Sequence, residues 1–124
     1  MERVIIGNRK VAETFMEKEE YRKIIRVHLK EAYSLTDEKV DEILPRFLEM
    51  LAEHLAKLKE IEIRQDLTTL CRTGHSLKGA LLNLGLEELA ADAYKIENLC
   101  KNKPQAGDRH RLVEDLIAKV QVIF

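Results

Sequence analysis

The sequence predicts an all-α fold, a bundle of amphipathic helices, on three observations. Apolar residues recur at spacings of three and four almost throughout, with little period-two alternation. Only five glycines and two prolines interrupt 124 residues. Hydrophobic residues make up 45% of the chain but aromatics only 5%, and Trp is absent, so Leu, Ile, Val and Ala must fill the core.

The elements follow in chain order. A first helix is expected over about Arg9 to Tyr33, carrying Val11, Phe15, Ile24, Ile25, Leu29 and Ala32 among many charges. Its middle, "MEKEEYRK", is polar and expected to be looser. Ser34 or Thr36 then offers an N-cap, with Asp37 and Glu38 favourable to the helix dipole. Val40, Ile43, Leu44, Phe47, Leu48, Leu51, Leu55 and Leu58 mark a second pattern. Pro45 lies inside it and predicts a kink or a break near Leu44, which would leave 37–44 as a short separate helix. "KEIEIRQ" reads as a turn. A third helix, Gln65 to Leu84, carries the stripe Leu67, Leu70, Leu77, Leu81 and Leu84. Gly85 then falls where a left-handed backbone costs glycine little. Leu86, Leu89, Ala90, Ala93, Ile96 and Leu99 mark a fourth helix, and the short connection makes an antiparallel hairpin of the third and fourth. "NKPQAGD" reads as a loop, after which Asp108 caps a last helix with Leu112, Leu116, Val120 and Ile123.

Length and charge narrow the function. A chain of this size holds one core. The net charge is -1 with both signs interspersed, and no basic patch suggests nucleic acid. No apolar run approaches the roughly 20 residues that span a membrane, and "MERVIIG" is too short for a secretory signal. Cys71 and Cys100 have no CxxC spacing and read as free buried thiols in a reducing compartment, hence a cytoplasmic protein. Cys71 and His75 are four apart, as metal ligands can be. His28, His54, Cys100 and His110 supply no second pair at matching spacing, so no metal is expected.

The stretch "GHSLKGALLNLG" carries the chemistry. His75 lies about 110° around the third helix from the centre of its leucine stripe, an exposed position on that wheel. Cys71, Arg72, Lys78, Gly79 and Leu82 surround it at helical spacings. A neutral imidazole is a nucleophile near neutral pH and its ring nitrogen can take a phosphoryl group. Lys78 would answer the added negative charge, with Arg72 assisting from the other side. Gly79 costs about 1 kcal/mol relative to alanine in a helix, a cost that close approach of a second macromolecule would justify. Glu97, on the adjoining helix, is a candidate to pair with Lys78 or to orient His75. The plainer alternative, solvated surface charges beside an ordinary histidine, fits each residue singly but not their register.

"HSLKGALLNLG" resembles the signature of histidine-containing phosphotransfer (HPt) domains: His, two residues, Lys-Gly, five residues, Gly. The similarity continues through "LEELAADAYKIENLC" and upstream through "ILPRFLEMLAEHLAKLKEIEIRQDLTTLCRTG", about residues 37–123 in all. It implies an antiparallel four-helix bundle over 37–124, with residues 1–36 as an N-terminal helical extension packed on or lengthening it. It implies His75 as phosphoacceptor in a phosphorelay, Lys78 as charge stabiliser and Gly79 as clearance, with Cys71, Arg72 and Leu82 meeting the partner. The partners implied are a response-regulator receiver domain and a sensor or hybrid histidine kinase. Mg²⁺ comes from the receiver, so the chain, expected to be a monomer, needs no cofactor of its own. It has no Gly-rich nucleotide loop, and autophosphorylation is not expected. Ala80, Leu81 and Leu82 are bulkier than the small residues often found after the family's glycine. Two alternatives stay open: a helical adaptor that binds receivers without accepting phosphate, and a phosphoacceptor module of a larger chemotaxis-type kinase. The starting methionine favours a complete small protein over the second.

Overall fold

The computed structural model describes residues 16–64, 66–102 and 106–124, and among them all regular structure is helical. The helices are α1 (Lys18–Tyr33), α2 (Asp37–Arg64), α3 (Leu67–Asn83), α4 (Glu87–Glu97), α5 (Leu99–Asn102) and α6 (Ala106–Gln121). None of the described helices is long and apolar enough to cross a membrane.

Each boundary has a local cause. α1 starts inside the polar stretch expected to be loose: the Glu20 side chain accepts a hydrogen bond from Glu17 N–H at 3.0 Å, so these charges form a helix start. The expected helical residues 9–15 lie outside the described residues. Ser34 ends α1 in the left-handed region at φ 55°, and Thr36 Oγ1 accepts from Lys39 N–H at 3.2 Å, capping α2. Thr36, and not Ser34, is therefore the N-cap.

Of the kink or break expected near Leu44, the break does not occur: α2 runs continuously through Pro45. A proline inside a helix forfeits about 3 kcal/mol. The same helix buries Val40 before it and Leu51, Leu55, Leu58 and Ile61 after it, and burying one such side chain is worth roughly 1.5–3 kcal/mol. Tertiary packing wins. It also carries the helix through Lys59–Arg64, where a turn was expected; Gln65 lies outside the described residues.

Past the hairpin, α4 ends at Glu97 and the short α5 follows as a separate turn of helix. Asp108 is not the last helix's N-cap. α6 begins at Ala106, so Asp108 sits in its first turn, 3.7 Å from Arg111, where its charge still suits the dipole. Of the "NKPQAGD" loop, residues 103–105 lie outside the described residues.

The packing pairs are α2 with α3, α3 with α4, α4 with α6, and α6 back with α2, a closed ring of contacts. Leu51, Leu58, Ile61, Leu77, Leu81, Ile96 and Leu116 fill its centre. α1 lies across one end and buries Tyr21, Ile25 and Leu29. Arg22 Nε donates to the Ile123 carbonyl at 2.8 Å, and Arg26 pairs with Asp37 at 3.4 Å and with Asp41. At the α3–α4 turn Gly85 takes φ +77°, and a Cβ there would fall 2.5 Å from the His28 Cβ of α1. Glycine is thus required twice at this point, by its backbone and by the helix packed on it.

The two cysteines are not free thiols. Cys71 on α3 and Cys100 on α5 form a disulfide with Cα atoms 6.3 Å apart. They are 29 residues apart in sequence, and only the return of the chain through the α3–α4 hairpin brings them together. The bond also removes the free-thiol argument for a reducing compartment.

Candidate functional site

α3 presents the site, and its start is firmly set. Asp66 accepts from Thr69 N–H at 3.3 Å and from Thr69 Oγ1 at 2.7 Å, an N-cap that fixes the helix phase two turns before His75. Phase then decides exposure: Leu70, Leu77 and Leu81 turn inward while His75 remains 65% exposed, as the helical wheel predicts.

Gly74 sets the distance to the neighbouring helix. A Cβ there would lie 2.8 Å from Glu97 N, 2.9 Å from Ile96 Cγ2 and 3.1 Å from Ala93 O. Only glycine allows the α3 and α4 backbones to approach this closely, and the approach brings Glu97 against His75. Gly74 was not singled out from the sequence, although its place beside the histidine on a hairpin helix was a usable signal.

Glu97 bridges the two predicted functional side chains. Its Oε2 is 2.8 Å from His75 Nδ1 and its Oε1 is 2.8 Å from Lys78 Nζ. Neutral His75 donates Nδ1–H to the carboxylate, which leaves Nε2 as the nitrogen with a free lone pair. Glu97 and Lys78 are both about three-quarters covered, so water screens their pairing less than it would on an open surface. The Lys78 ammonium holds the Glu97 carboxyl below the ordinary glutamate range. Burial works against this and the His75 hydrogen bond adds to it. The pairing thus favours the charged carboxylate. Lys78 Nζ also stands 4.9 Å from the Tyr94 ring centroid, a cation–π contact that steadies the ammonium beside the histidine.

Around these three the surface is open. A Cβ at Gly79 would meet nothing within 4 Å. Leu82 is 46% exposed, as expected, and Tyr94 is 49% exposed. Arg72 is exposed but turns toward α2, where it lines a groove with His54 and Lys57 away from Glu97. Cys71 is no surface contact: it is buried, with its sulfur on Cys100. The structure thus joins His75, Lys78 and Glu97, leaves Gly79 and Leu82 open beside them, sets Arg72 to one flank and withdraws Cys71.

The arrangement supplies an oriented nucleophilic nitrogen, a carboxylate to balance charge on the ring, and a cation within reach of a new anion on it. No curated protein and no solved structure gives a match to the chain. The sequence model of one family does match: that of the Hpt domain, over residues 42–122.

Proposed function

Because the chain belongs to the Hpt domain family, whose members carry out histidine phosphotransfer in two-component signalling, we propose that it is a phosphorelay intermediate with His75 as its phosphoacceptor. Phosphate arrives from a receiver-domain aspartate or a kinase and leaves to the aspartate of a response-regulator receiver. The closed ring of α2, α3, α4 and α6 supports reading residues 37–124 as an antiparallel four-helix bundle. Residues 1–36 are then an N-terminal extension.

In the step itself the Nε2 lone pair forms the N–P bond as the P–O bond to the donor aspartate breaks, and that electron pair stays on the departing carboxylate. Attack places positive charge on the ring. Nδ1 keeps its proton, donated to Glu97, whose carboxylate offsets the charge. Lys78 is close enough to exchange part of its contact with Glu97 for the phosphoryl oxygens. Gly79 leaves room for the partner's loops, with Leu82 and Tyr94 as apolar contacts on either side. Mg²⁺ belongs to the receiver's site, and this chain contributes positioning and charge.

The observation that carries the proposal is Glu97 held between His75 Nδ1 and Lys78 Nζ at 2.8 Å each, on an exposed helix face beside an open glycine. Incubation with a phosphorylated receiver should place an acid-labile, base-stable label on the wild type and none on His75→Gln. An equal label on His75→Gln would refute the assignment.

A further inference from the structure

One flank of the His75 face is a groove between α2 and α3 that the phosphotransfer step does not use. Its cavity is about 300 Å³. Glu53, His54 and Lys57 line it from α2, and Thr69, Arg72 and Ser76 from α3. Two fixed cations and a histidine thus face a single carboxylate, with hydroxyl groups between them. Neither Lys57 nor Arg72 has an ion-pair partner among the described residues, whereas Lys78, Lys119 and Arg26 do.

The groove shares α3 with the phosphoacceptor. Arg72 stands three residues before His75 and Ser76 one after it, so the groove opens on the exposed strip of α3 that carries the histidine. A macromolecule whose phosphoryl group reaches Nε2 comes to lie beside this flank. Unpaired Lys and Arg beside hydroxyl donors suit carboxylates, which guanidinium binds through two parallel hydrogen bonds.

We propose that this groove is a docking subsite for an acidic segment of the receiver domain. The receiver's footprint then runs from Tyr94 and Leu82, across His75, to Lys57 and Arg72. The subsite rests on the phosphorelay reading above and adds where the partner's negative charge must lie. Partners with an acid at that place are accepted, and partners with a base there are rejected.

The test compares the wild type with Lys57→Glu, a substitution at an exposed position that has no part in the transfer step. Measurements are equilibrium binding of receiver domains from the same organism, phosphoryl transfer against receiver concentration, and direct labelling of His75 by phosphoramidate, a small donor that needs no docking. The half-saturating receiver concentration should rise about tenfold, the order expected for reversing charges at an interface rim. The saturating rate and the phosphoramidate labelling should stay within about twofold, and the dependence of binding on salt should flatten. Unchanged half-saturation with unchanged salt dependence overturns the subsite and leaves the phosphorelay reading standing. Equal loss of phosphoramidate labelling also overturns it, since the charge would then act on His75 itself. A wild type that binds no receiver overturns both.

Discussion

At His75 the geometry separates the two ring nitrogens. Nδ1 is spent on Glu97 Oε2 at 2.8 Å, so phosphate belongs on Nε2, and ³¹P NMR of the phosphorylated protein should show that isomer. Glu97→Gln keeps an acceptor of similar shape but removes the charge that balances the ring in the transition state. A hydrogen bond to a charged group is worth about 1.5–3 kcal/mol. His75 is 65% exposed, so solvent screening brings the effect to the lower end, roughly a tenfold loss of transfer rate. Acid provides an independent check. The Glu97 carboxyl titrates below its ordinary 4.5 in the folded protein, chiefly through Lys78, so its stabilising contribution is fully present above that pH. It disappears as pH falls through the depressed folded value. The urea midpoints of wild type and Glu97→Gln should therefore differ near pH 7 and converge well below pH 4.5. A gap of constant size across that range would mean that the substitution acts through packing alone.

Among the elements, α3 contains two glycines that the same substitution should affect in opposite ways. At Gly74 an added methyl meets α4 backbone at 2.8 Å, and no rotamer change can relieve a backbone clash. Gly74→Ala should destabilise the fold by about 1–3 kcal/mol, the usual cost of overpacking, and slow transfer by moving Glu97 away from His75. At Gly79 the methyl meets nothing, so alanine gains about 1 kcal/mol of helix propensity. Gly79→Ala should raise the Tm while raising the receiver concentration needed for transfer. Thermal melts beside transfer assays read both signs, and a stable, fully active Gly74→Ala would contradict the close-approach argument. Helical periodicity made the Leu70, Leu77 and Leu81 face legible in the sequence, together with the exposure of His75 and Leu82, because one helix's own period dictates them. It could not supply what depends on a second helix. The Cys71–Cys100 bond, the contact at Gly74 and the turn of Arg72 toward α2 are all distances between elements. Pro45 is a related case: local propensity allows a kink or a break, and the buried residues on both sides of it overrule the break.

For the whole molecule, the question is how far stability and signalling can be separated. α1 adds Tyr21, Ile25 and Leu29 to the core at the end where Gly85 turns the chain and Ile123 closes it. Gly85 is ten residues past His75, about 15 Å along a helix, so α1 supports the bundle without touching the acceptor. Ile25 is fully buried, and Ile25→Ala should cost about 2–5 kcal/mol, within the range for emptying a core site. For a domain of this size such a loss lowers Tm by roughly 10 °C or more. Below that lowered transition the His75–Glu97–Lys78 geometry should be intact. Phosphoryl transfer per folded molecule should then stay within about twofold of wild type. Measuring melting and transfer on the same sample separates the two quantities. If Ile25→Ala abolished transfer while the helices remained folded, α1 would have to act on the α3–α4 pair itself, and the bundle end could no longer be treated as purely structural.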